Sequence, residues 1–360
     1  MRKYHGLGAK AVAVAAACVL LAACGKEQKT VPGVTQTPDM LGQPTPGETQ
    51  QPDMPKPQEP DSGQDIPGNA DSEETDEERA QHTVVKDGQS GFLMYQGLCY
   101  ELLDEETVRV SDYYDMEITK LSIPDTITYG DKTYRVTRVG ENVFSYFYGL
   151  EQVVLGNNVE VLEESAFTGC SELTEVVFGT GLTQIGAHAF EACDVLAQIS
   201  IPEGVTSIGS EAFCSCVSLY SITLPSTLLS LGDNMFFDCE SLVSVSIPAS
   251  VETIPFGLFT NCASLEEVQL SEGLLVIGQE SFWACESLKS LVFPESLAVI
   301  GERAFYNSGL ESITFPDKRV SVGDGIFDFC ENIAKIYVTA ETQEYYEDAL
   351  DYELEFVVLQ

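Results

Sequence analysis

The residues with the clearest capacity for chemistry are cysteines. Residues 166–170 read AFTGC, and AFEAC follows at 189–193, AFCSC at 212–216, MFFDC at 235–239, LFTNC at 258–262 and SFWAC at 281–285. Cys170, Cys193, Cys216, Cys239, Cys262 and Cys285 thus recur every 23 residues, each three places after a Phe. Thiols at so regular a spacing are candidates for a metal centre, a redox device, a disulfide ladder or plain packing. A tetrahedral metal needs ligands that converge from several directions, whereas an equal period places these six in one straight row. No C-x-x-C occurs. Disulfides stay open, because rungs of stacked strands lie about 4.8 Å apart, inside the usual Cα–Cα window for a bridge. Against them, side chains on successive rungs point the same way, and Phe147 and Ser308 stand in the same repeat slot. Free buried thiols serving as small hydrophobes are the favoured reading. Cys214 stands outside the row, and Cys99 lies upstream of the repeats.

Other catalytic material is sparse. His188 falls at a repeat position that elsewhere holds Ser165, Glu211, Asn234, Gly257, Glu280, Arg303 and Gly325, so solvent is expected around it. Glu163-Glu164 and Glu266-Glu267 are adjacent in sequence and are expected to be solvated surface. There is no G-x-S-x-G, H-E-x-x-H, EF-hand loop or P-loop. No enzyme activity, metal or cofactor is therefore expected. The formal net charge is −39. Nucleic-acid binding needs phosphate-neutralising cations and is disfavoured. Such charge serves solubility, or the attraction of basic partners and divalent cations.

The elements that hold the cysteines follow from the repeat. Units begin at Leu150, Leu173, Leu196, Leu219, Leu242, Leu265 and Leu288; a 22-residue unit then shifts the next start to Leu310. Residues 196–218, LAQISIPEGVTSIGSEAFCSCVS, show the outline L-x-x-I-x-I-P-x-x-V-x-x-I-G-x-x-A-F-x-x-C-x-x. Ile199 and Ile201 alternate with a polar residue and read as a strand. Pro202, like Pro225, Pro248, Pro294 and Pro316, stops it. Val205 and Ile208 turn back inward, Gly209 suits a tight turn, and a short helical segment is expected to carry Ala212 and Phe213 into the core. A fixed period of this kind means a solenoid, whose coils bury their apolar groups only by stacking.

The combined signature resembles the BspA-like leucine-rich repeat family of bacterial surface proteins, strongly over 150–332. The segment TYRVTRVGENVF at 133–144 and IAKIYVTAETQEYYEDAL at 333–350 look like that family's flanks. Gly156 and Gly179 replace the proline, Pro255 the turn glycine and Ser308 the cysteine. The resemblance implies a β-rich (α+β) solenoid, a right-handed leucine-rich repeat array of 23-residue coils. Its ends must be capped. Residues 83–149 are expected to form an N-terminal β cap of hairpins, turning at Gln96-Gly97 and Tyr129-Gly130-Asp131, together with a first degenerate coil. Residues 333–360 are expected to form a C-terminal cap, a helix over 340–350 and a last strand FVVLQ.

Residues 1–24 read MRKYHGLGAKAVAVAAACVLLAAC. A basic start and a short apolar run mark a secretory leader. Its end, Leu21-Ala22-Ala23-Cys24, resembles a bacterial lipobox, which implies lipidation at Cys24 and an extracytoplasmic protein anchored to the membrane. Neither a sorting motif nor an apolar tail is read near Gln360, so the lipid is the expected anchor. Residues 25–82, rich in Pro, Gln and acidic groups and without aromatics, are expected to be a disordered tether. Its stretched reach is on the order of 190 Å at about 3.3 Å per residue.

Two surfaces are candidates for binding. On the strand face, Ala197, Gln198 and Ser200, Tyr220, Ser221 and Thr223, and Val243, Ser244 and Ser246 form an uncharged patch inside an acidic molecule. Phe237, Trp283 and Tyr306 share one repeat position and form a candidate aromatic ridge. The resemblance implies adhesion or protein–protein contact with a host-matrix or other surface protein. Capture of a glycan or peptide for uptake, and a structural spacer of the envelope, are the alternatives.

Between Arg138 and Lys289 there is no Lys or Arg. Limited trypsin digestion followed by mass spectrometry is therefore expected to leave the folded array as a persistent core fragment. Rapid loss of that core would contradict the expectation.

Overall fold

The computed structural model describes residues 84–88 and 91–359. The leader with Cys24 and the tether 25–82 lie outside them. The described chain is a β-solenoid of about ten turns of ~23 residues.

Each coil contributes a first strand, such as Gln198–Ser200, Ser221–Thr223, Ser244–Ile247 and Glu267–Leu270, and these pair in parallel in repeat register. Ile199, Ile201, Val245 and Ile247 point inward and are buried, because alternate side chains of a strand face opposite sides. Past the strand, the proline carbonyl accepts a turn hydrogen bond, as from Val205 N to Pro202 O at 3.3 Å. A second, two-residue strand such as Ser207–Ile208 then pairs in parallel with Gln184–Ile185 and Ser230–Leu231.

The third side differs from expectation. Ala212 and Phe213 are fully buried, but the segment that carries them is a run of turns and not a helix. The cause is visible in the backbone. Ser165, His188, Glu211, Asn234, Gly257, Glu280, Arg303 and Gly325 all have φ between 52° and 65°. Four residues on, Gly169, Ala192, Ser215, Asp238, Asn261, Ala284, Asn307 and Phe329 do the same, with φ between 53° and 69°. A helix cannot pass through two left-handed residues per turn. The alternation aims N–H groups at the next coil instead. His188 N donates to Ser210 O, Phe190 N to Ala212 O and Ala192 N to Cys214 O, at 2.9, 2.9 and 2.8 Å, and the same trio recurs along the array. Backbone groups on this side thus gain partners that an isolated coil would lack.

Gly209 also has a different role from the one its position suggests. It lies outside the left-handed region, but a Cβ there would come within 2.4 Å of Ala187 N. Gly232 and Gly301 face the same obstacle, at 2.1 Å from Ser210 N and 2.4 Å from Gln279 N. These glycines are demanded by the close approach of consecutive coils.

Behind the turn side runs a column of phenylalanines. Phe144, Phe167, Phe190, Phe213, Phe236, Phe259, Phe282, Phe305 and Phe327 stack with centroids 5.2–6.1 Å apart. That range suits offset aromatic packing. Tyr113 closes the column against Phe144 at 5.6 Å, and Tyr352 against Phe327 at 5.7 Å.

The caps are built locally. Leu93–Tyr95 and Leu98–Leu102 form an antiparallel hairpin about Gln96 and Gly97, whose φ values are 48° and 80°. Thr126–Tyr129 and Lys132–Val139 form another. At the far end, helix Gln343–Ala349 and strand Glu355–Val358 close the array. Tyr346 is buried 4.1 Å from Phe315; its hydroxyl donates to Lys318 O at 2.7 Å and accepts from Val320 N at 3.1 Å. With the Tyr345 hydroxyl donating to Val320 O at 2.9 Å, the two tyrosines dock the helix on the preceding coil. Among the described residues no helix is long and apolar enough to cross a membrane.

Two substitutions should act with opposite sign. Ala192→Gly frees a left-handed position and is expected to raise stability by about 1 kcal/mol; Gly169 already fills that slot one coil earlier. Gly209→Ala forces coils apart and is expected to cost about 1–3 kcal/mol. Chemical denaturation of the two variants checks the signs.

Candidate functional site

The strand-face residues meet in one patch. Gln198 lies opposite Ser221, Ser200 opposite Thr223, and Ser221 opposite Ser244. Tyr220 N donates to Ala197 O, and Val243 N to Tyr220 O, so Ala197, Tyr220 and Val243 form a further column beside them. All nine residues are exposed or half-buried. Tyr220 is 48% exposed, and its hydroxyl donates to Gln198 Oε1 at 3.1 Å. A shallow depression of about 560 Å³ runs beside it, lined by Glu175, Gln198, Ser200, Ser221 and Thr223 among others. Acidic groups border the patch: Glu175 on one side, and Glu266 with Glu267, paired to Ser244, on the other. The arrangement offers hydrogen-bonding hydroxyls and one rigid aromatic on a regular backbone lattice.

The aromatic ridge is shorter than its sequence position implies. Trp283 and Tyr306 stack at 3.9 Å with planes 19° apart. Phe237 does not join them, because Thr260 occupies the same position in the coil between. Phe329 does join, 4.9 Å from Tyr306 and 68% exposed. It was missed because it stands one place later in its coil than the other two.

The cysteine row is one continuous feature of the turn side. Cys170, Cys193, Cys216, Cys239, Cys262 and Cys285 are free and fully buried. Each thiol donates to the carbonyl of a Phe 26 residues earlier. Cys170 reaches Phe144 O at 3.2 Å, Cys216 Phe190 O at 3.1 Å and Cys285 Phe259 O at 3.2 Å. Cys193, Cys239 and Cys262 make the same bond to Phe167, Phe213 and Phe236. A seventh member was overlooked. Cys330 donates to Phe305 O at 2.9 Å and lies 3.3 Å from Ser308 Oγ. The stretch IFDFC at 326–330 carried the signal, displaced by the 22-residue unit.

The repeat architecture agrees with a known family. The model of the BspA type leucine rich repeat region matches residues 137–266 and 252–356, in six copies. The chain belongs to this BspA-type family. It is a family of bacterial surface proteins, and leucine-rich repeat proteins generally bind proteins. No curated protein matches the chain. Among solved structures, a leucine-rich repeat protein of T. pallidum is 25% identical over 73% of this chain and 98% of its own, with a TM-score of 0.48. A leucine-rich cell surface protein of Faecalibacterium prausnitzii is 21% identical over 77% and 94%, with a TM-score of 0.42. The pneumococcal vaccine antigen PcpA is 16% identical over 78% and 99%, with a TM-score of 0.37.

Within this BspA-type array the thiols are chemically quiet. Burial pushes Cys170 up to about 12, and Cys193, Cys239 and Cys262 well above the ordinary thiol value. Cys214, buried outside the row, is likewise pushed up to about 12 by burial. Thiolate is the nucleophile and the metal ligand, so these groups lack the reactive form at neutral pH.

Two acidic pairs part company. Glu266 and Glu267 are exposed, but Glu163 is not a solvated residue. Its carboxylate meets Arg109 at 3.3 Å and Arg138 at 3.6 Å and accepts from Glu141 N at 3.2 Å, tying the first regular coil to the N-terminal cap. His188 is half-buried between two carboxylates, with Nδ1 2.9 Å from Glu191 Oε2 and 3.6 Å from Glu211 Oε2. The Glu191 hydrogen bond holds its pKa above the ordinary value; burial opposes this, and the charges of Glu191, Glu211 and Glu164 reinforce it.

Alkylation should separate packing from bridging. At neutral pH, iodoacetamide is expected to leave the row unmodified in the native chain and to label every member after unfolding without reductant. Thiols that resist labelling in the unfolded, unreduced chain would instead report disulfides.

Proposed function

We propose that this chain is a lipid-anchored surface protein whose solenoid is a non-enzymatic scaffold for protein binding and adhesion. The observation that carries the reading is the uncharged patch around Tyr220 on the strand face. Backbone pairing holds its three rungs in register, so a partner meets it with little ordering cost. Hydroxyl and amide groups can bond a partner, and the half-exposed Tyr220 supplies the kind of aromatic anchor that concentrates binding energy. The flanking Glu175, Glu266 and Glu267 favour a partner with a neutral centre and a basic rim. The lipobox-like end at Cys24 and the Pro-rich segment that follows support display at a distance from a membrane.

A second reading is favoured by the Trp283–Tyr306–Phe329 row. Partly exposed aromatic faces suit the capture of a glycan. Trp283 and Tyr306 already cover one face of each other, which leaves less ring surface for a sugar.

The full chain and its Tyr220→Glu variant, screened against matrix proteins, mucins and glycans, test both readings. Saturable binding to a protein that falls at least about tenfold in the variant, or about 1.4 kcal/mol, supports the strand face. Binding to a glycan that is kept in the variant and quenches the single tryptophan supports the aromatic row.

A further inference from the structure

Among the described residues, one group of side chains can converge on a metal ion: His188, Glu191 and Glu211. It lies on the turn side, apart from the strand-face patch. His188 and Glu211 occupy the same left-handed slot of consecutive coils, and Glu191 follows His188 by three residues. Their ligand atoms all lie within 4.8 Å of one another. Two ligand atoms on a tetrahedral metal, each about 2.1 Å from it, are about 3.4 Å apart. The separations of His188 Nδ1 from Glu191 Oε2 and Glu211 Oε2, 2.9 and 3.6 Å, bracket that value.

We propose that His188, Glu191 and Glu211 form a binding site for one divalent transition-metal ion of the zinc and cobalt class.

Three observations carry the proposal. The backbone under the ligands is fixed: His188 N donates to Ser210 O at 2.9 Å, Glu191 N to His188 O at 3.2 Å and Glu211 N to Asp233 O at 2.9 Å. The backbone positions of the three ligands are thus set before binding, and only their side chains remain to be ordered. Among the described residues, neither carboxylate is paired with a Lys or Arg. No Lys or Arg occurs between Arg138 and Lys289, and the ion pairs of Glu191 and Glu211 run to His188. Glu163, by contrast, is held by two arginines. A neutral imidazole and two carboxylates would balance a dication. Finally, the set is local. One coil earlier the three slots hold Ser165, Thr168 and His188, and one coil later Glu211, Cys214 and Asn234. Mixed nitrogen and oxygen donors suit zinc and its neighbours rather than calcium. The half-exposed position leaves further coordination places to water.

Cobalt chloride titrated into the full chain, read by visible absorbance and then by zinc competition, tests the site. The expected result is one ion per chain, without the intense thiolate-to-cobalt band that the cysteines would produce. His188→Asn should weaken binding at least about tenfold and leave the melting curve in place, because Asn234 fills the same slot with φ 54°. Glu211→Gln should act likewise. In the unmodified chain, cobalt should broaden the His188 ring resonances first among the three histidines. Equal binding by wild type and His188→Asn, a thiolate band, earlier broadening of His5 or His82, or no saturable binding would each overturn the proposal.

Discussion

Everything in this molecule depends on how closely one coil must lie on the next. The turn side sets the limit. There the backbones approach until Gly209, Gly232 and Gly301 have no room for a Cβ, and N–H groups cross the seam to carbonyls of the following coil. That spacing requires two left-handed residues per coil, and single left-handed residues outside glycine cost roughly 1–2 kcal/mol each. The inter-coil hydrogen bonds and the stacked phenylalanines offset this. The same geometry leaves a Phe carbonyl facing inward beside each cysteine, and a thiol is small enough to fill the gap while donating weakly to that oxygen. A column of seven thiols is thus a by-product of close stacking.

A scaffold so constrained inside is free outside. The same left-handed slot accepts Ser165, His188, Asn234, Glu280 or Arg303, because their side chains leave the backbone toward the surface. Exposed strand positions tolerate Ser, Tyr, Gln and Glu for the same reason. Chemistry on this protein is therefore decoration, set by which residues happen to lie one rung apart. The Tyr220 patch, the Trp283–Tyr306–Phe329 row and the His188–Glu191–Glu211 group are three such decorations.

Much of the architecture was legible because the period is a one-dimensional code. Leu150 and its repeats, Ile199 with Ile201, and Phe213 with Cys216 each appear at a spacing that only stacked coils can satisfy. What the code hid was conformation and long-range pairing. Ala212-Phe213 has a spacing compatible with a helix, and nothing in His188 or Arg303 announces a positive φ, since glycine fills that slot only at Gly257 and Gly325. Glu163 looked solvated because Arg109 is 54 residues away in sequence. Cys330 escaped because a one-residue deletion in the preceding unit moved it off the ruler. The His188 group was overlooked because its third member belongs to the next repeat.

The caps engage the seam rather than any one coil. Tyr352 hydroxyl accepts the Phe327 N–H, where a further coil would otherwise offer a carbonyl, and the hydroxyls of Tyr345 and Tyr346 donate to Val320 O and Lys318 O. Because successive seams are alike, an unequal exchange between two tandem coding units removes or adds one whole coil and leaves both caps seated. Length is then a heritable variable while cross-section is not. Genes of this kind would diverge as rulers do, by the number of their divisions.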